Sequence, residues 1–259
     1  MVRRAAVAAA FSLLLSAPTV ALVGGAIQAD NAIARHVVLV VGPRGHGRMA
    51  CTGTAIARDL VLTAAHCVQP GANASVVERD DGRRPKMIRV ASAERHPTFD
   101  LNTAVARGET ADVALLKLAE PLSSQRLPAA LGERAIVLIG ERFTVAGYGV
   151  TIDGGDGRDG RFGTLRIATL MAVRSPSDRH FQLADPTTRG STAGLGACSG
   201  DSGGPVFEDT GGRLVVMGVV SWATSPRGGA GCGGLTGATP LAPFREWIVG
   251  TARKMGSAL

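Results

Sequence analysis

The sequence predicts an all-β fold, either a barrel or a sandwich, on three observations. Short apolar runs recur between turn residues, glycine is abundant at 35 of 259 residues, and helical periodicity is convincing only at the carboxyl end. The first predicted strand spans 36–41 and runs into a glycine-rich turn, Gly42-Pro-Arg-Gly-His-Gly47. Segments 52–57 and 60–63 read as a hairpin around Arg58-Asp59. Further strands are predicted at 75–79, 86–90, 113–118, 142–146, 163–173, 204–208, 214–221 and 235–239, separated by Pro, Gly, Asp and Asn. A closing helix is predicted over 244–254, because Phe244, Trp247, Ile248 and Ala252 fall at helical spacing. No internal repeat is evident. The Gly- and Asp-rich stretch 151–162 reads as a loop between two β halves. Within it, Gly154-Gly155-Asp156-Gly157 is a single faint copy of a calcium-binding repeat, for which an ordinary polar loop is the expectation.

Bulk composition narrows the function classes. With 45% hydrophobic residues the chain is globular and long enough to bury a large core. The net charge is +7, but the arginines, among them Arg83, Arg84, Arg158 and Arg161, are scattered and no basic run is interleaved with aromatics. This argues against a nucleic-acid partner. Residues 1–21 read as a secretory signal: Arg3 and Arg4 precede a short apolar run from Ala5 to Leu15, and Thr19-Val20-Ala21 offers small residues near a cleavage point. An uncleaved anchor and a cut further on, near Ala26 or Ala29, are the alternatives. The run is short for a membrane span, so no membrane association is expected once it is removed. The expected location is secreted or periplasmic, with residues 22–259 forming one domain. Four cysteines, Cys51, Cys67, Cys198 and Cys232, follow the export signal. An even count suggests two disulfides in one of three pairings, and the lack of a C-x-x-C pair argues against zinc.

Three segments carry chemistry. In Ala197-Cys-Ser-Gly-Asp-Ser-Gly-Gly-Pro205, glycines flank Ser202 and allow a tight turn that exposes backbone amides. A serine hydroxyl needs a base to take its proton, and donors for the oxyanion that forms on attack. The amides of Gly200 and Ser202 are the candidate donors. In Leu62-Thr-Ala-Ala-His-Cys67, His66 follows a strand, has small neighbours and adjoins a cysteine that can pin its loop, as a precisely held base requires. Asp112 opens the apolar strand Asp112-Val-Ala-Leu-Leu-Lys-Leu118. It is either a solvated cap or a buried acceptor that fixes the tautomer of His66.

Together these segments resemble the chymotrypsin-like (trypsin-fold) serine peptidase family over nearly all of the chain after the signal. Thr63-Ala-Ala-His-Cys67 and Gly200-Asp-Ser-Gly-Gly-Pro205 are highly specific to it, and the order His, Asp, Ser matches. Val145-Ala-Gly-Tyr-Gly149 resembles a family strand that usually carries Trp where Tyr148 stands. Ser221-Trp222 resembles the substrate-binding strand, and Trp247-Ile248 the closing helix. The resemblance implies two six-stranded antiparallel barrels with the active site between them, and His66, Asp112 and Ser202 as a catalytic triad. It implies the disulfides Cys51–Cys67 and Cys198–Cys232, and protein or peptide substrates cut by a monomer without cofactor or metal. It also implies that a new amino terminus at Leu22 pairs with Asp201, although Ile is usual where Leu22 stands and Asp201 alone also reads as a turn residue.

The specificity residues depart from trypsin. Gly196 occupies the family position at the pocket base where trypsin-like members carry Asp, and Ala223 stands where an open pocket has Gly, with Thr236 aligned loosely opposite. Cleavage after small or medium apolar residues is therefore expected, with a broad preference because one methylene discriminates by only about 1–3 kcal/mol. Two alternatives remain: a catalytically inactive, peptidase-like binding protein, and a hydrolase built on the Gly-x-Ser-x-Gly elbow of Gly200–Gly204. The elbow fold needs alternating strands and helices and places its His last, whereas here the His comes first.

Overall fold

A computed structural model describes residues 22–44, 47–69, 71, 73–78, 85–150, 164–177, 180–226 and 228–259. The expected signal segment, the glycine-rich loop 151–162 and Arg83, Arg84, Arg158 and Arg161 lie outside them. Six strands close a first antiparallel barrel: β2 (Val37–Arg44), β3 (Gly47–Ala57), β4 (Leu60–Thr63), β5 (Ser75–Glu78), β6 (Lys86–Arg95) and β7 (Ala114–Leu118), in the order β2-β3-β4-β7-β6-β5. Six more form a second ring: β9 (Arg142–Gly147), β10 (Arg166–Ser177), β11 (His180–Ala184), β12 (Pro205–Thr210), β13 (Arg213–Ala223) and β14 (Thr236–Pro240). The order β10-β11-β14-β13-β12-β9 closes because β9 also pairs β10. Two short strands extend this sheet: β1 (Ile27–Gln28) pairs β10, and β8 (Ala130–Leu131) runs parallel to β13. The expectation of two six-stranded barrels holds. Closure removes the edges that would otherwise offer unpaired backbone groups.

Each barrel fills its own interior. Val38, Leu62, Val76, Ile88 and Leu115 are buried in the first, and Phe143, Leu170, Phe181 and Leu183 in the second. The closing helix, Arg245–Lys254, buries Ile248 and Ala252 in the core of the first barrel. Glu246 in its first turn and Arg253 and Lys254 in its last suit the helix dipole. Two short helices were not legible in the sequence: α1 (Asn31–Ala34) and α2 (Leu101–Val105), capped by Asp30 and Asp100 respectively. They are too short for periodicity to reveal, and only their Asx caps mark them.

The predicted strands recur with shifted ends. The turn expected at 42–47 is shorter, because Gly42↔Met49 and Pro43↔Arg48 continue the β2–β3 ladder. β6 runs five residues past its predicted end. It exposes most of its side chains and buries Ile88, so its second half carries no apolar run to announce it. β11 was not predicted. Its five residues become a strand by being held between β10 and β14, a tertiary circumstance.

Candidate active site

The candidate base and its candidate acid flank neighbouring strands of the first barrel. β4 and β7 are antiparallel, with Thr63 opposite Ala114. His66 lies three residues past Thr63, in the 3-10 turn Ala65–Cys67, and Asp112 two residues before Ala114. Both therefore leave the barrel at the same end. Asp112 is fully buried and grips His66 twice: the His66 amide donates to Oδ1 (2.9 Å), and the ring Nδ1 donates to Oδ2 (2.7 Å). The Ser221 hydroxyl donates to Oδ2 as well (2.5 Å). Burial alone would push the Asp112 carboxyl up, but the adjacent His66 ring and these hydrogen bonds hold it below its ordinary value. An ionised carboxylate only accepts hydrogen bonds, so Nδ1 carries a proton and, in the neutral ring, Nε2 keeps its lone pair free. Of the two readings of Asp112, the buried acceptor is the one observed.

Ser202 belongs to the loop between β11 and β12, on the second barrel. Its carbonyl accepts from the Thr52 amide of the first barrel (2.8 Å), and the Cys67 sulfur lies 3.7 Å both from that carbonyl and from His66 Nε2. The nucleophile turn and the ring thus meet around one sulfur. Cys67 is disulfide-bonded to Cys51, and Cys198 to Cys232, the pairing the resemblance implied. Cys51, His66 and Cys67 place ligand-type atoms within 4.8 Å of one another, yet one disulfide ties up both sulfurs and leaves no thiolate for a metal.

Glycine is required where the Ser202 loop docks. Gly203 has φ +84°, and a Cβ there would run into Thr63 Oγ1 and Thr52 O. Thr52, fully buried, organises the contact: its hydroxyl donates to the Gly200 carbonyl (2.8 Å) and accepts from the Tyr148 amide (3.0 Å), while its own carbonyl accepts from Thr63 Oγ1 (2.8 Å). Sequence reasoning passed over Thr52, although a polar residue directly after a disulfide cysteine, inside an otherwise small and apolar strand, was the available signal.

Asp201 is fully buried beside Ser202. Its carboxylate accepts from the amides of Gly149 and Cys198, each at 2.8 Å. A Cβ on Gly149 would collide with that carboxylate, so the glycines of Ala146-Gly-Tyr-Gly149 make its room. Burial, offset only in part by the two amides, pushes Asp201 up to about 7. Leu22 is fully buried in the second barrel's core with φ 48°, and the next amide, Val23, donates to Gly196 O (3.1 Å).

The recess beside Ser202 is lined by Cys198, Ser199, Ala223, Ala230 and Gly231. Gly196 is buried and paired with Val23. The β13–β14 register sets Ala223 opposite Thr236, whose buried hydroxyl accepts from the Ala197 amide (2.9 Å). Ser221 and Trp222 line a separate cleft that also contains His66. Trp222 stacks on His180 with ring centroids 4.8 Å apart. No helix among the described residues is long and apolar enough to cross a membrane.

Comparison with known proteins bears on this geometry. A family model described as Trypsin matches residues 22–248. Trypsin alpha of Drosophila melanogaster is 28% identical, covering 81% of this chain and 80% of its own. Trypsin alpha-4 of Lucilia cuprina is 30% identical, covering 80% and 79%. Serine protease 56 of Mus musculus is 30% identical over 88% of this chain, which spans 38% of that longer protein. A solved structure of HBP superposes with a TM-score of 0.68 at 23% identity, covering 91% of this chain and 99% of HBP, which extends the likeness to the fold.

Proposed function

From the premise that the chain belongs to the trypsin family and is a serine protease of chymotrypsin type, we propose that it is an active, secreted endopeptidase with His66, Asp112 and Ser202 as its triad. The observation that carries this reading is the double hold of the buried Asp112 carboxylate on the His66 amide and Nδ1, which leaves Nε2 as the proton acceptor. His66 Nε2 takes the Ser202 hydroxyl proton as Oγ attacks the peptide carbonyl. Asp112 stabilises the imidazolium that forms. The amides of Gly200 and Ser202 stabilise the oxyanion. The imidazolium then protonates the leaving amine, and water hydrolyses the acyl-enzyme by the same path.

Residues 1–21 act as the export signal in this reading, and their removal exposes the Leu22 amine to pair with Asp201. The buried Leu22 and the buried carboxylate that lacks a cation among the described residues support that step. Gly196, Ala223 and the opposed Thr236 favour Ala, Val or similar residues before the cut, whereas among the described residues no acid lines the recess to hold Arg or Lys. The protein takes protein or peptide substrates as a monomer and needs no cofactor.

One experiment tests the whole reading. The secreted protein is sequenced from its amino end, labelled with a fluorophosphonate, and profiled on a peptide library. The expected outcome is a start at Leu22, an adduct on Ser202, and cleavage led by small apolar residues. A folded protein that neither labels nor cleaves marks the inactive binding protein instead. A profile led by Arg or Lys overturns the specificity.

A further inference from the structure

Among the described residues, the groove between the barrels is lined by guanidinium groups and no acid. In the cleft of about 610 Å3 that holds His66, the charged side chains among the described residues are Arg95 and Arg107, which line it with Trp222 and the exposed apolar residues Leu101 and Val105 of α2. Arg107 also lines the recess beside Ser202 and Ala223, and among the described residues it is the one shared by the two. A peptide that presents its scissile carbonyl to Ser202 and its leaving nitrogen to His66 must fill both spaces, so it passes this guanidinium.

Arg107 is held for such an encounter. It follows α2 with φ 58°, in the left-handed region that side chains rarely adopt, and a side chain kept there indicates local constraint. Its Nη1 crosses the groove to donate to Gly228 O, in the loop between β13 and β14 (2.8 Å). That bond uses one of five guanidinium donors, and no carboxylate pairs with Arg107 among the described residues. The acid of the site, Asp112, is engaged by His66 and Ser221. Arg95 faces the Phe99 ring at 5.6 Å, leaving Arg107 as the free fork at the reacting end.

We propose that Arg107 is a specificity-determining residue that selects substrates carrying Asp or Glu within the three residues preceding the one at the cut, a selection that rests on the endopeptidase reading above. A guanidinium fork matches a carboxylate in two parallel hydrogen bonds, and a half-exposed pair of this kind is worth roughly a tenfold preference. The preference is additional to the small apolar residue at the cut, because Arg107 lines the recess together with Ala223, Ala230 and Gly231, which remain in place.

The test uses fluorogenic peptides with Ala at the cut and Glu, Gln or Lys placed in turn at each of the three preceding positions. For the natural protein, kcat/KM for Glu should exceed that for Lys by about tenfold at one position, less at high salt. Arg107→Ala should bring the ratio close to one, Arg107→Lys should keep its direction, and Arg107→Glu should invert it. A ratio unchanged in Arg107→Ala overturns the proposal and points to Arg95. If even the Gln peptides are not cleaved, the endopeptidase reading fails by itself. The charge preference is then read from the Kd of the same peptides for Ser202→Ala, where equal Kd values for Glu and Lys peptides overturn it.

Discussion

The two barrels prepare their halves of the site by different means. In the first, His66 and Asp112 sit within three residues of paired strands, and the ladder Thr63↔Ala114 sets their separation before any side chain is considered. In the second, Ser202 hangs from a loop of about twenty residues between β11 and β12, shaped by glycines with positive φ and tied by Cys198–Cys232. Strand-borne groups inherit the rigidity of the sheet. A loop-borne reacting group needs explicit ties, and for Ser202, the proposed nucleophile, they come largely from the opposite barrel: Thr52 holds Gly200 through its hydroxyl and Ser202 through its amide. The barrel that carries the proposed base therefore also holds the loop that carries the proposed nucleophile in place.

The largest expected effect tests whether the two halves act as one unit. Ser202→Ala and His66→Ala should each lower kcat by roughly 10⁴-fold or more, with the double variant little worse. Additive losses would mean that the barrels contribute independently, and substantial turnover by Ser202→Ala would refute the mechanism.

The next effect belongs to the second barrel alone. A carboxyl raised from 3.8 to about 7 binds its proton more tightly folded than unfolded. With no cation beside Asp201 among the described residues, the contribution of this group to stability is full below 3.8, declines as pH rises, and is lost, by about 4 kcal/mol in all, above 7. An amine at Leu22 should remove that penalty. Denaturant unfolding at pH 7.5 should find the form starting at Leu22 more stable by several kcal/mol than one extended by a single residue, with the gap narrowing toward pH 4. Equal stabilities at pH 7.5 would rule out the pairing.

The smallest effect concerns the tie between the barrels. Thr52→Val keeps the shape but leaves the Gly200 carbonyl and Tyr148 amide without their partner. It should lower kcat by about tenfold with little change in KM, and Thr52→Ser should restore it. A variant that melts earlier while keeping kcat would assign Thr52 to folding alone.

How much of this was legible beforehand depended on the range of the interactions. The strand 60–63 and the helix near 245–254 were read with almost correct limits, because both bury a local apolar pattern against the same core. The His66 and Ser202 segments were recognisable because small residues and glycines cluster around each reacting group. β11 and α2 left little trace, since neighbours and a cap decide them. Arg107 was invisible as a groove residue, because its significance lies in Gly228, 121 residues away.

The sequence by itself therefore determined the β class, the candidate reacting groups and their order, all of which depend on local pattern and residue chemistry. Only the tertiary structure decided that Asp112 is a buried acceptor rather than a solvated cap, that Ala223 faces Thr236, and that Thr52 and Arg107 bridge the barrels. Those facts depend on register and on which loops meet. Closing the barrels brings residues as distant as Thr52 and Gly200 within 2.8 Å, and no local propensity encodes that contact.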